Sequence, residues 1–142
     1  MNSGPTPNAP TSIEQSVAIR VMIVDDEEML RDALRDLLLD LDFDVVGEAV
    51  DGQDGVDKAM TLRPEVVLMD LRMPRMDGIA ATRQIRGILP MVQVVLHSAY
   101  DDAALRQAAR ECGAHTYLLK GCTAEAIEAA IVEAAARGGR CA

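Results

Sequence analysis

Ile19-Arg20-Val21-Met22-Ile23-Val24-Asp25-Asp26-Glu27-Glu28 is a β-branched apolar run that stops at four consecutive acids, and the change of texture at Asp25 decides the fold. A near-continuous apolar run of this length suits a strand covered on both faces, as in parallel sheets. The residues after it are amphipathic: Met29, Leu30, Ala33, Leu34, Leu37, Leu38 and Leu41 recur at helical spacing and predict a one-sided stripe. The alternation then repeats. Strands are predicted over 19–25, 44–49, 65–70, 92–97 and 115–119, and helices over 27–40, 52–62, 78–87, 101–112 and 123–137. Gly47, Gly52, Gly55, Gly78, Gly87, Gly113 and Gly121 fall mostly at the joints. Five strands alternating with five helices call for right-handed helical crossovers, hence a doubly wound parallel sheet of the α/β class.

Composition sets the limits. A chain of 142 residues, 49% hydrophobic and 26% charged, is one domain with a sizeable core. With no Trp, one Phe and two Tyr, that core is aliphatic. The net charge of −9 argues against neutralising a phosphate backbone, so no nucleic acid is expected to bind this chain alone. Cys112, Cys122 and Cys141 are odd in number and lack CxxC spacing or a His cluster, which supports neither zinc nor a disulfide framework. They read as reduced thiols of a cytoplasmic protein. No basic residue leads an apolar leader and no segment reaches membrane-spanning length, so no membrane partner is expected. Residues 1–17 read as a flexible leader, 18–137 as the folded domain, and 138–142 as a C-terminal tail or the start of a linker.

In a sheet of this kind ligands bind beyond the carboxyl ends of the strands. Asp25 and Asp26 close the first run, Asp70 closes Val66-Val67-Leu68-Met69, Ser98 follows the fourth run, and Lys120 closes Thr116-Tyr117-Leu118-Leu119. Three carboxylates on one edge resist simultaneous ionisation unless a cation balances them. The cation is either Lys120 or a divalent ion, and an all-oxygen donor set suits Mg²⁺ or Mn²⁺ better than zinc. Alone, the Asp-Asp pair would read as a helix N-terminus with dipole-matched acids. Four strand ends each offering a needed group shift the reading to a cation site with a carboxylate placed to accept a phosphoryl group. His97 reads as a packing residue turned to the face opposite Ser98, Glu27 as an exposed acid of the first helical turn, and Met73-Pro74 with Asp77-Gly78 as loop shape.

These residues resemble the receiver domains of two-component response regulators, over roughly residues 18–137. The resemblance implies a flavodoxin-like (βα)5 fold with strand order 2-1-3-4-5. It implies Asp70 as phosphoacceptor, and Asp25, Asp26 and Asp70 with the backbone carbonyl of Arg72 as the Mg²⁺ ligands. Ser98 would be the switch hydroxyl, Lys120 the family's lysine and Tyr117 its switch aromatic. Ser98 stands where threonine is more frequent. Arg72 and Tyr100 occupy two positions that, in the family, tune how readily water reaches the aspartyl phosphate. Gly121 replaces a proline common after the lysine. That feature, with Gly113-Ala114-His115-Thr116-Tyr117-Leu118-Leu119-Lys120, is similar to the NarL/FixJ (LuxR-type) group, whose members carry a helix-turn-helix output domain.

The implied partners are a sensor histidine kinase and, through the alanine-rich stretch Ala124 to Ala136 with Ile127, Ile131 and Ala134 on its inner face, a second copy of the chain. Ending at Ala142, the chain is either a stand-alone receiver or one cut before its output domain. An Asp-nucleophile phosphatase with the same Mg²⁺ chemistry is the competing enzyme class, but it resembles a pattern with a second Asp two residues after the nucleophile, where this chain has Arg72. An interaction module that has lost phosphorylation is disfavoured by the complete set Asp25, Asp26, Asp70, Ser98 and Lys120.

Overall fold

The computed structural model describes residues 17–139. Apart from Val17, the expected leader lies outside the described residues, as do Cys141 and the tail beyond Gly139. Strands β1 (Arg20–Val24), β2 (Asp44–Ala49), β3 (Val66–Asp70), β4 (Gln93–Ser98) and β5 (Thr116–Leu119) alternate with helices α1 (Glu28–Asp40), α2 (Gly52–Leu62), α3 (Gly78–Ile88), α4 (Ala103–Cys112) and α5 (Ala124–Arg137). The strands form one parallel sheet in the order β2-β1-β3-β4-β5, the doubly wound arrangement expected.

Alternation along β1 sorts the core into two layers. Met22 and Val24 face α2, α3 and α4 through Val56, Ala59, Ala81, Ile85 and Ala109. Val21 and Ile23 face α1 and α5 through Leu34, Leu38, Ile127 and Ile131. The three central strands are buried almost throughout, which is why they carry runs of Val, Ile, Leu and Met rather than alternating polarity. Of the glycines, Gly47, Gly55 and Gly87 lie inside elements rather than at joints.

Two expectations need correction. Met29 is 86% exposed and Ala33 is also exposed, so the buried stripe of α1 is Leu30, Leu34, Leu37, Leu38 and Leu41. At 3.6 residues per turn, Met29 and Ala33 fall on the flank of that stripe. Helix starts also shift inward. Asp102 and Thr123 have extended backbones and accept the N–H groups of Ala104 and Ala126, so they cap α4 and α5 from outside.

Candidate functional site

Strand register brings the acids together. Val24 of β1 pairs with Met69 of β3, so Asp25 leaves its strand beside Asp70. Asp70 pairs with His97 of β4, and Ser98 pairs with Leu119 of β5, so Lys120 emerges on the same edge. Ser98 is the last residue of β4 rather than the first after it. Two backbone bonds extend the ladder past the strand ends and hold the site residues in line: Asp25 N–H to Ala49 C=O at 3.1 Å and Lys120 N–H to Ser98 C=O at 2.7 Å.

Asp25 and Asp70 are 1% and 6% exposed, whereas Asp26 is exposed. One carboxylate oxygen from each of the three lies within 4.8 Å of the others. The Lys120 ammonium stands 3.2 Å from Asp25 Oδ2 and 3.1 Å from Asp70 Oδ1. Backbone donors complete the shell, with Leu71 N–H on Asp70 Oδ1 and Glu27 N–H on Asp25 Oδ1, both at 2.9 Å.

One cation shared between two buried carboxylates does not neutralise both. Burial, and next to it the charge of Asp25, push Asp70 up to about 6 against the pull of Lys120. Burial works to discharge Lys120, but the hydrogen bond and charge of Asp70, with those of Asp25, outweigh it and raise its pKa. The site is therefore electron-rich and short of positive charge. Its donors are all hard oxygens, which fits a small divalent cation such as Mg²⁺.

The β3–α3 loop turns back sharply beyond Asp70. A Cβ on Gly78 would lie 2.1 Å from the Asp70 carbonyl oxygen, and Gly78 N–H donates to Leu71 C=O at 2.7 Å. Only glycine permits that approach. Asp77 caps α3 through the N–H of Ala80.

The remaining expected residues surround this centre. Ser98 is fully buried, and its Oγ accepts the N–H of Tyr100 at 3.0 Å. Tyr117 is half-buried, and its O–H donates to the Tyr100 carbonyl at 2.5 Å. Arg72 is exposed and stacks its guanidinium 4.7 Å from the centre of the Tyr100 ring. His97 is buried with Nδ1 unpartnered, and burial lowers it to about 4, so it is a neutral packing residue. Glu27 is exposed and precedes α1 as its N-cap position, without a side-chain cap bond. Cys112 and Cys122 form no disulfide.

Three contacts have no sequence signal: Arg72 on Tyr100, Arg106 over the Tyr117 ring at 4.8 Å, and Arg75 on Asp51. Each joins residues brought close only by the fold. An apolar cavity of ≈ 350 Å³, lined by residues including Pro64, Ile88, Leu89, Met91 and Val92, lies at the opposite, amino end of β3 and β4. Among the described residues no helix is long and apolar enough to cross a membrane.

The model of the response regulator receiver domain matches residues 21–132. The transcriptional regulatory protein LnrK of Bacillus subtilis is 40% identical over 115 residues, covering 80% of this chain and 52% of LnrK. LiaR of the same organism is 43% identical over 122 residues, covering 84% and 57% respectively. The chain thus spans about half the length of the curated relatives it matches. Among solved structures, the signal receiver domain of NarL from Mycobacterium tuberculosis is 37% identical with a TM-score of 0.78, covering 87% of this chain and 98% of that one. The receiver domain of Thermotoga maritima CheB has 32% identity and the same TM-score, with 84% and 98% covered. Matched in sequence from β1 into α5 and in structure over the same sheet, the chain belongs to the response regulator receiver domain family, and its relatives include NarL-like regulators of the LuxR group.

Proposed function

We propose that Asp70 accepts a phosphoryl group from a sensor histidine kinase and that the resulting charge switches the α4–β5–α5 face. The observation that carries this reading is the three-carboxylate cluster with Lys120 held by two of its members. Asp25, Asp26, Asp70 and the Arg72 carbonyl would hold Mg²⁺, or Mn²⁺ in its place. When bound, that ion supplies the positive charge the site lacks.

An ionised Asp70 oxygen attacks the phosphorus in line with the bond to the donor. The new O–P bond forms as the donor's P–N bond (or P–O bond, for an acyl phosphate) breaks, and the leaving atom keeps the electron pair. Lys120 stays protonated and turns from the carboxylate to a phosphoryl oxygen, an electrostatic role that needs no proton transfer. The Ser98 hydroxyl donates to another oxygen.

Reaching the phosphate takes Ser98 Oγ away from the Tyr100 N–H, which frees the loop whose Tyr100 carbonyl now holds the Tyr117 O–H. Tyr117 then turns inward and α4 and α5 repack. The change is a population shift between two accessible states, driven by the added charge.

LnrK and LiaR carry names of transcriptional regulators and are about twice as long as the matched region. A helix-turn-helix output in the remaining half of a longer protein, with a homodimer through α5, completes the proposal, and any DNA contact then belongs to that half rather than to this acidic chain. Intact-protein mass after incubation with Mg²⁺ and acetyl phosphate tests the reading. One phosphate adduct on the wild type and none on Asp70→Asn is expected. No adduct on a protein that binds Mg²⁺ refutes the acceptor role.

A further inference from the structure

The loop between β3 and α3 carries Arg72, yet its outer end is fastened to a different element. Met76 N–H donates to the Pro74 carbonyl at 2.8 Å, with Arg75 between them at φ 68°. That is a γ-turn in the left-handed region, a rare and strained conformation for a residue with a side chain. Two ties hold it to the start of α2. Gly52 N–H donates to Met76 C=O at 3.0 Å, an approach so close that a Cβ on Gly52 would meet that oxygen at 2.1 Å. The Arg75 guanidinium converges on Asp51 Oδ2, with Nε at 2.8 Å and a second N–H on the same oxygen.

Asp51 is only 3% exposed, and its other oxygen caps α2 by accepting the N–H of Asp54 at 2.8 Å. The carboxylate is therefore fixed before Arg75 reaches it. A charge-assisted contact to a fixed, buried carboxylate is among the stronger polar contacts a loop can make. At the loop's base, Gly78 N–H on Leu71 C=O closes the other end. Arg72 lies between these two fastenings.

We propose that Arg75 and Asp51 are positioning residues for the cation site: their ion pair holds the strained loop in the shape that presents the Arg72 carbonyl beside the Asp25–Asp26–Asp70 cluster. The inference rests on the proposed function, since it assigns the Arg72 carbonyl as a ligand. It adds a determinant of metal affinity supplied by the β2–α2 junction and touching no ligand directly. Residues behind the ligands commonly govern affinity in this way.

The test is calorimetric titration of Mg²⁺ into unphosphorylated wild type, Arg75→Ala, Arg75→Lys and Asp51→Asn. Backbone amide exchange at Gly52 and Met76 is recorded on the metal-free proteins. The ion pair predicts that Arg75→Ala weakens Mg²⁺ binding by about tenfold, speeds exchange at both amides and leaves the melting temperature within a few degrees. Arg75→Lys should recover part of the affinity, and Asp51→Asn, whose side-chain oxygen still caps α2 but carries no charge for Arg75, should resemble Arg75→Ala in affinity and in melting temperature. Wild-type affinity in Arg75→Ala, or a loss that only follows global destabilisation, overturns this inference alone. A wild-type protein that takes up no Mg²⁺ overturns the proposed function and this inference together.

Discussion

Replacing Asp70 by asparagine should make the metal-free protein more stable while abolishing the proposed phosphoryl transfer. Asp70 titrates near 6 in the folded chain against an ordinary value of 3.8, a difference of about two units or about 3 kcal/mol. The folded chain holds this proton more tightly than the unfolded chain. Stability therefore falls as pH rises from about 4 to about 6 and stays level above, leaving the ionised Asp70 at a cost of about 3 kcal/mol at pH 7.5. Asparagine keeps the shape and the acceptor for Leu71 N–H but carries no charge beside Asp25. It gives up part of the Lys120 contact, so the net gain is set at about 2 kcal/mol, or about 5–10 °C in melting temperature for a domain of this size.

Urea titrations in EDTA, followed by circular dichroism because the chain has no Trp, measure the gain at pH 7.5 and again at pH 5. At pH 5 the ionisation cost is about half its full value, about 1.5 kcal/mol, and after the same Lys120 loss of about 1 kcal/mol the gain of Asp70→Asn should fall to about 0.5 kcal/mol. Saturating Mg²⁺ should favour the wild type instead, since the ion binds the folded carboxylates. An Asp70→Asn protein no more stable than wild type at pH 7.5, or one with the same gain at both pH values, refutes the cost assigned to burying an ionised Asp70 beside Asp25.

Lys120→Met leaves two buried carboxylates without their shared cation and should cost about 2–4 kcal/mol in EDTA at pH 7.5. Mg²⁺ should restore much of the loss; unchanged urea midpoints would show that the Asp25 and Asp70 contacts contribute nothing. Arg72→Ala and Tyr100→Ala each remove a cation–π contact of about 0.5–1 kcal/mol and should shorten the life of the aspartyl phosphate a few-fold, read as decay of the adduct mass. The double variant should be no worse than either single one if the pair shields as a unit, and additive losses would exclude that. Gly78→Ala drives a methyl group into the Asp70 carbonyl and should abolish adduct formation even where circular dichroism shows folded protein. Wild-type adduct yield would mean that the sharp return of the loop is not needed.

The sheet and its acids were legible because each depends on local pattern. β1 and β3 announce themselves by apolar runs ending in Asp, and parallel orientation follows from alternation with helices. Once the strands are parallel in one sheet, Asp25, Asp70, Ser98 and Lys120 must share an edge. Met29 misled because an apolar residue on a helix flank has the same sequence signature as one within the stripe. The stack of Arg72 on Tyr100, Arg106 over Tyr117 and the bond of Arg75 to Asp51 were illegible for another reason. An arginine in a loop or at a helix surface is ordinarily solvated, and neither period nor spacing tells which partner a long side chain reaches across the fold.

Those illegible contacts bear on how the proposed switch would work. Tyr100 is bound at three points: its N–H by Ser98, its carbonyl by Tyr117 and its ring by Arg72. Under the proposed function, a change at Asp70 would reach it from two directions, through Ser98 along β4 and through the loop that carries Arg72. Tyr100 is 49% exposed and belongs to neither core cluster, so these polar contacts are a main part of the cost of moving it. They are individually modest, whereas a phosphoryl group on Asp70 would bring up to two negative charges into a site already short of positive charge. The large term therefore sits at Asp70 and the small ones at Tyr100, the order a switch requires if chemistry is to set conformation.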